Sequence, residues 1–304
     1  APTGFGKTGI ALQAALETIR DGRYERVIFL TSKTSGQLQV IRQWETFARD
    51  NPQAPRALHL RPKAEYVRQC AVPHCDGRRS CALSLQEKGL PHPLLDGILG
   101  GVDQPAHPLL RLDTVIKAAS RAGVCPFELN RAALPGAEAW ICDYNYIFSP
   151  RQQRLLENLP DCHPERTCLI VDEAHNLPER VAGNFSFVAH AREVSRLAEL
   201  LAWHGLPARL AAAWERWGDF LDALKVADRH EGLLAYEAAG LLETMAEATL
   251  LPGIDWDNLP AEIADSLNQT AWQLATLRDQ RLRLLLWSRT NGELRVDCLD
   301  AAPV

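Results

Sequence analysis

The sequence predicts an α/β fold built on a parallel sheet, and three observations predict it. Short apolar runs that suit buried strands alternate with helix-length segments rich in Ala and Leu. A glycine-rich turn ending in Lys-Thr stands directly before the first helical segment, and an Asp-Glu pair follows a later apolar run. Alternating strands and helices are typical of parallel sheets, which bind ligands beyond the carboxyl ends of their strands.

The first element is a predicted phosphate-binding turn. Residues 1–8 read APTGFGKT and fit the nucleotide-binding pattern A-x-x-G-x-G-K-T. Glycines let backbone N–H groups approach phosphate oxygens, the lysine can reach the β- and γ-phosphates, and the threonine hydroxyl suits Mg²⁺. The following run, TGIALQAALETIRDG, predicts a helix that starts at the phosphates. The predicted ATP site comprises Thr3, Gly4, Phe5, Gly6, Lys7 and Thr8.

The next two strands are each followed by polar residues. Val27 to Leu30 predicts a buried strand, and the loop TSKTSGQ follows it. We expect Thr31, Ser32 and Lys33 in this loop to contact the phosphates of a single nucleic-acid strand, although a merely polar loop has the same composition. The run AWICDYNYIF predicts another strand. Tyr144 and Asn145 at its end are further candidate contacts, with ordinary packing as the alternative.

A third polar strand end carries the predicted catalytic groups. The run CLIVDEAHNLPE is an apolar strand that ends in two carboxylates. Asp172 is expected to hold Mg²⁺, together with Thr8, and Glu173 to orient or deprotonate the attacking water. His175 is expected to relay between the nucleotide and a neighbouring domain.

Four of the eight cysteines form a candidate metal site. Cys70, Cys75, Cys81 and Cys125 are separated by four, five and 43 residues. Four thiolates suit a 4Fe–4S cluster or a tetrahedral zinc, and the spacing does not choose between them. The net charge of the chain is −5, yet the segment from Arg56 to Arg79 is locally basic. We therefore expect Arg78 and Arg79 to contact a DNA backbone.

The last third of the chain changes character. From about Ala189 to Leu286 the apolar residues recur at helical spacing, which predicts four or five helices. We expect Trp203, Trp214, Trp217 and Trp272 to be core residues of this helical segment. Asn291-Gly292 then predicts a hairpin turn between two apolar runs.

Several of these motifs together resemble one family of proteins. The Asp-Glu-Ala-His box with Asn176, the upstream run CDYNYIFSP and the run GVCPFEL are similar to those of the XPD and DinG group of superfamily 2 helicases. The resemblance implies a P-loop, RecA-like motor domain that uses ATP to translocate 5′ to 3′ on single-stranded DNA and to unwind fork DNA. It favours a 4Fe–4S cluster over zinc at the four cysteines.

The resemblance also implies a domain order. The first motor domain would comprise residues 1–55, 132–182 and the return strands 284–304. A cluster domain at 56–131 and a helical Arch domain at 183–283 would be inserted into it. A second RecA-like domain would lie outside this chain, which the resemblance suggests is cut at both ends, so we expect little ATPase activity from the chain alone.

The sequence leaves other functions open. A nucleotide-switched module that binds a DNA junction or a protein is the main alternative, and an RNA helicase is disfavoured by the cysteine group. No apolar run is long enough to suggest a membrane span. The resemblance places the protein in the cytoplasm, associated with the nucleoid, and the compact cysteine spacing favours a bacterial source.

Overall fold

The computed structural model describes residues 6–51, 54–72, 109–149, 163–224, 240–241, 243–248, 259–288 and 290–302. The chain divides into two compact units. The first comprises Ala1–Phe148 and Gln152–Asn176, and the second comprises Ser149–Arg151 and Leu177–Val304. No helix among the described residues is long and apolar enough to cross a membrane.

The first unit is built on a five-stranded sheet in which every strand pair is parallel. The strand order is β3-β2-β4-β1-β5. The strands are β1 (Arg26–Thr31), β2 (Ala57–His59), β3 (Leu109–Leu110), β4 (Ala139–Asp143) and β5 (Thr167–Val171). The predicted α/β fold with a parallel sheet is therefore confirmed.

Helices connect these strands, as parallel pairing requires. The helices are α1 (Lys7–Arg20), α2 (Thr34–Asp50), α3 (Lys63–Val67), α4 (Leu112–Ala122), α5 (Pro126–Ala132) and α6 (Asn145–Phe148). Helix α4 ends at Gly123, whose φ of +64° is the left-handed conformation that commonly terminates a helix. Proline at the first position of α5 costs no hydrogen bond there, because the first N–H groups of a helix have no intrahelical partner.

Strand β1 fixes the register of the carboxyl edge of the sheet. Leu30 of β1 pairs with Cys142 of β4 on one side and with Val171 of β5 on the other. The residues that follow these three strands therefore emerge side by side. This places the loop after β1, Tyr144 after β4 and Asp172 after β5 at one edge, as the sequence predicted.

The core of this unit lies between the sheet and its helices. Trp44 of α2, Phe29 of β1 and Ile141 of β4 are each at most 3% exposed and pack in one cluster. On β4, the Trp140 indole N–H donates to the carbonyl of Leu134 at 3.2 Å, and the Arg26 guanidinium stacks 4.7 Å from its ring centroid. These contacts pack β1 and β4 against each other and against α2, below the residues at the ends of the two strands.

The second unit combines helices with a small antiparallel sheet. Its helices are α7 (Leu177–Asn184), α8 (Ala191–Trp203), α9 (Ala208–Ala223) and α10 (Ala261–Arg278). Its strands are β6 (Phe187–His190), β7 (Arg283–Trp287) and β8 (Glu293–Asp300), in the order β6-β8-β7. The predicted turn between β7 and β8 is confirmed, and Gly292 adopts a φ of +70° there.

Residues 284–304, predicted to be return strands of the first motor domain, contain most of β7 and all of β8 of this small sheet. Strand β8 pairs antiparallel with β6, which the helical pattern of the sequence did not predict. The pairing buries Leu294 and Val296 against the helices of the same unit. The division of the chain into motor, cluster and Arch domains remains a prediction.

The tryptophans of the helical segment are placed differently from one another. Trp214 and Trp217 of α9 are at most 2% exposed and lie in the core, as expected. Trp272 is half-buried and packs edge-on against Phe187 with ring centroids 5.5 Å apart. Trp203 is 83% exposed, so its assignment to the core was wrong. It is the last residue of α8, where the apolar face of the helix ends.

Candidate functional site

The start of α1 contains the described part of the predicted phosphate-binding turn, Gly6 to Thr8. Gly6 adopts a φ of +70°, a conformation that glycine reaches without strain. Apart from its chain neighbours and its own helix, no described atom lies within 4 Å of a Cβ built there. Lys7 is exposed and Thr8 is half-buried. Among the described residues no side chain caps this helix, and its first turn has no acidic residue that would repel a phosphate. Thr3, Gly4 and Phe5 lie outside the described residues.

The two carboxylates follow β5 without a break. The Asp172 amide continues the parallel pairing by donating to the Leu30 carbonyl at 2.9 Å. Glu173 then turns the chain with a φ of +51°, a left-handed conformation that is uncommon for a residue with a Cβ. Its carbonyl accepts the Asn176 backbone amide at 2.9 Å and the Asn176 side-chain amide at 3.3 Å. The Glu173 side chain is consequently turned out of the strand.

His175 lies beside Glu173 and faces solvent. Its Nδ1 is 3.4 Å from Oε2 of Glu173, and the two side chains are 71% and 48% exposed. This exposed pair leaves the carboxylate accessible to a bound ligand and to water. The expected relay role of His175 remains a prediction.

Chain direction brings the phosphate-binding turn to the same edge as the carboxylates. Helix α1 contacts β1, and the short segment 21–25 joins the end of the helix to the start of the strand. A helix joined so closely to the next strand runs back along it, and its N-terminus therefore lies toward the carboxyl end of that strand. Asp172 emerges at that end, beside β1.

The segment at the end of β1, from Thr31 to Lys33, is partly buried. Thr31 is 1% exposed, and its hydroxyl donates to the carbonyl of Lys33 at 2.9 Å. A Cβ at Gly36 would lie 3.1 Å from this hydroxyl, so the loop is tightly packed against its own strand. Ser32 is half-buried and Lys33 is exposed. The loop thus offers Lys33 as a surface contact, whereas the expected contact through Thr31 does not agree with its buried hydroxyl.

Tyr144 also departs from its expected role as a surface contact. Its side chain is 1% exposed, which leaves no ring face for stacking on a base. Its hydroxyl donates to the backbone carbonyl of Asp172 and lies 3.1 Å from that of Glu173. Burial is the main cause that raises the pKa of this phenol. Asn145 is half-buried and its backbone amide donates to Oδ1 of Asp143 at 2.9 Å, where α6 begins.

A polar network beneath the loop was not predicted from the sequence. Nη1 of Arg61 donates to Oε1 of Gln37 at 2.7 Å, and the same oxygen lies 3.0 Å from Nε2 of His59. Arg61 also forms a two-point pair with Glu65, at 2.9 and 2.7 Å. Burial, followed by the charges of Arg61 and Arg111, lowers the pKa of His59 to about 4. The imidazole is therefore neutral at pH 7 and can form its hydrogen bond with Gln37.

Two of the four predicted cluster ligands lie in the described residues. Cys70 follows α3 and is half-buried, and Cys125 directly precedes α5 and is fully buried. Helices α3 and α5 contact each other, with the Tyr66 and Phe127 rings 6.0 Å apart. The segments bearing these two cysteines are thus neighbours, as a shared cluster would require. Cys75, Cys81, Arg78 and Arg79 lie outside the described residues, and the described residues alone contain no group of three metal ligands.

The similarity of this chain to known proteins agrees with this geometry. Residues 100–194, which include β4 and β5 with their polar ends, match the family model DEAD_2. A stretch of 76 residues is 33% identical to the ATP-dependent DNA helicase CHL1 of Saccharomyces cerevisiae, covering 25% of this chain and 8% of that protein. These two matches support the predicted resemblance to the XPD and DinG helicases. The matched stretch spans less than a tenth of its yeast relative.

Two solved structures are similar over most of the chain. A truncated XPD is 14% identical, with a TM-score of 0.55, and the alignment covers 98% of this chain and 80% of that one. The Xpd4 of S. tokodaii is also 14% identical, with a TM-score of 0.38, and covers 96% of this chain and 51% of that one. The similarity to the truncated XPD supports the α/β fold with its parallel five-stranded sheet. The curated relative is a yeast protein, and the expectation of a bacterial, cytoplasmic protein remains a prediction.

Proposed function

We propose that this chain is part of an ATP-dependent DNA helicase. ATP hydrolysis would drive translocation along single-stranded DNA, 5′ to 3′ by resemblance, and the unwinding of forked duplexes. What supports this proposal is that chain direction directs the start of α1 toward the edge of the parallel sheet at which the two carboxylates emerge. A second RecA-like domain would close over the nucleotide from the other side.

The described residues have distinct tasks in this proposal. The uncapped start of α1 and the Lys7 ammonium would bind the phosphates of ATP. Thr8 and Asp172 supply the hydroxyl and carboxylate oxygens that Mg²⁺ prefers, and the bound ion would neutralise charge on the β- and γ-phosphates. Glu173 is turned out of its strand and exposed, which suits a residue that orients a water molecule toward the γ-phosphate.

The proposed DNA contacts adjoin these groups. Lys33 is exposed after β1, at the same edge of the sheet as the carboxylates, and a cation there suits a DNA phosphate. Ser32 and Asn145 are half-buried neighbours that could add hydrogen bonds to the same backbone. Arg78 and Arg79 are retained as proposed contacts on sequence grounds alone.

The proposed function is tested by measuring ATP hydrolysis and strand displacement by the full-length protein. We expect single-stranded DNA to raise the rate of hydrolysis, and a fork with a free 5′ strand to be unwound. Competition with RNA of the same sequence separates a DNA motor from an RNA motor. ATP and DNA binding without hydrolysis or unwinding would instead support a nucleotide-switched binding module and would contradict the proposal.

We further propose that Cys70, Cys75, Cys81 and Cys125 hold a 4Fe–4S cluster. The buried position of Cys125 and the contact between α3 and α5 support a shared site for the first and last of these thiols. The cluster would cross-link the segment after α3 to the start of α5. In that role it would stabilise the basic segment that carries Arg78 and Arg79.

Anaerobically purified protein is therefore expected to be coloured, with an absorption band at about 400 nm. Metal analysis should give close to four iron atoms for each chain. Cys125→Ser is expected to lose both signals, whereas Cys142→Ser, which changes a buried thiol within β4, is the matched control that should retain them. A colourless protein that contains one zinc ion would contradict the proposed cluster.

A further inference from the structure

Tyr144 occupies a position at which three strand ends meet. It directly follows β4, and β1 separates β4 from β5 in the sheet. Neighbouring strands are about 4.8 Å apart, so β4 and β5 are separated by about 10 Å. The Tyr144 hydroxyl nevertheless reaches the chain after β5, where it meets the carbonyls of Asp172 and Glu173. The buried ring therefore crosses the end of β1.

The same hydroxyl is connected to the loop after β1. The side chain of Ser32 forms a hydrogen bond with it. Because the phenolic O–H is donated to the carbonyls after β5, the serine is the donor to the phenolic oxygen. One oxygen atom thus joins the loop proposed to contact DNA to the backbone of both proposed catalytic residues.

The backbone that Tyr144 contacts includes a residue in the left-handed conformation. Glu173 has a φ of +51°, and a non-glycine residue in this conformation is retained only where its surroundings hold it. Two groups hold the Glu173 carbonyl from different sides, the Tyr144 hydroxyl and the amides of Asn176. A change at Ser32 that moved the phenol would consequently act on the orientation of the Glu173 side chain.

We infer that Tyr144 is a positioning residue that transmits the state of the DNA-binding loop to the catalytic carboxylates. The inference rests on the proposed function, because it assigns a regulator to the same site. Tyr144 touches neither DNA nor nucleotide in this role. DNA bound at the loop after β1 would set the Ser32–Tyr144 hydrogen bond, and that bond would set the geometry of Asp172 and Glu173 for hydrolysis.

Tyr144→Phe in the full-length protein tests this inference, since it removes the hydroxyl and keeps the buried ring. At saturating ATP and DNA we expect kcat to fall about tenfold, the lower end of the loss seen when a partner of a metal-binding carboxylate is removed. The KM for ATP and the Kd for DNA should each change by less than about twofold, because neither ligand is touched. An unchanged kcat, or a raised Kd for DNA as the main effect, would overturn the inference.

Tyr146→Phe is the matched control. Tyr146 lies two residues away, and its hydroxyl donates to a backbone carbonyl at 2.6 Å, but that carbonyl belongs to Arg61. The control removes a comparable buried hydrogen bond that does not reach the carboxylates. It should keep the DNA-stimulated kcat, and an equal loss in both variants would show a general structural effect and overturn the inference.

Ser32→Ala tests whether the hydrogen bond between Ser32 and Tyr144 affects hydrolysis. If Ser32 acts on hydrolysis through Tyr144, the double variant should have the kcat of Tyr144→Phe alone, because the two changes break one path. Independent losses that multiply in the double variant would contradict a shared path.

Amide hydrogen exchange separates this inference from the proposed function. Tyr144→Phe should speed exchange in a peptide covering Asp172 to Asn176, where the Asn176 amide is bonded to Glu173, and Tyr146→Phe should not. This measurement needs no activity. If the unmodified protein showed no DNA-stimulated hydrolysis, the proposed function would fail, while unchanged exchange in Tyr144→Phe would refute the positioning role itself.

Discussion

Replacing Lys7 with alanine is expected to lower DNA-stimulated ATP hydrolysis about 100- to 1,000-fold and to abolish unwinding. Lys7 is the exposed cation at the start of α1, where the first backbone N–H groups have no side-chain cap among the described residues. Its ammonium would neutralise charge that develops on the γ-phosphate as the bond to the β-phosphate breaks. The measurement is steady-state hydrolysis together with strand displacement by the full-length protein.

Binding to single-stranded DNA should survive this change, because none of the proposed DNA contacts belongs to α1. Lys117→Ala provides a matched control, since Lys117 is an exposed lysine on α4 of the same unit. It should retain hydrolysis and unwinding. Unwinding at the unmodified rate by the Lys7 variant would show that the phosphate-binding turn is assigned to the wrong residues.

Glu173→Gln is expected to stop hydrolysis at the chemical step, after ATP has bound. Glutamine has the same shape but cannot accept a proton from the attacking water, and loss of a general base typically costs about 100- to 10,000-fold. ATP and Mg²⁺ should still bind, because Lys7, Thr8 and Asp172 are unchanged. Single-turnover hydrolysis and equilibrium binding of labelled ATP, measured side by side, distinguish a catalytic loss from a binding loss.

Glu165→Gln is the control for this variant. Glu165 is an exposed glutamate two residues before β5, at the opposite end of the strand from Glu173. It should hydrolyse ATP normally. In the Glu173→Gln variant, residue 173 should keep its left-handed backbone conformation, because glutamine and glutamate have similar main-chain preferences. Normal turnover by Glu173→Gln would assign the role of general base to another group.

The sequence predicted the parallel sheet and the location of its polar edge because both depend on local patterns. Apolar runs fixed β1, β4 and β5, and the residues directly after them were placed correctly at one edge. The hairpin at Asn291-Gly292 was predicted for the same reason, since a turn is specified by its own residues. Strand β6 was missed, because its four residues stand between two helices and are defined by pairing with β8.

The orientation of side chains could not be predicted in the same way. Thr31 ends β1 and Tyr144 directly follows β4, and both are polar, yet each is 1% exposed with its hydroxyl bonded inside the protein. The side chains of Arg61, Gln37 and His59 form a hydrogen-bonded group although they come from separate segments, and their spacing in the sequence does not predict these hydrogen bonds. An arginine followed four residues later by a glutamate was the one local signal for part of this network.

The neutral state of His59 has a consequence for the acid–base behaviour of the protein. With a pKa of about 4, this imidazole stays in its neutral form, with one ring N–H, across the range from pH 6 to 8. The hydrogen bonds that fasten the base of the loop are therefore constant over that interval. Any inflection in a rate profile near neutrality would report a solvent-facing ionisation elsewhere, and would leave the scaffold under the loop unaltered.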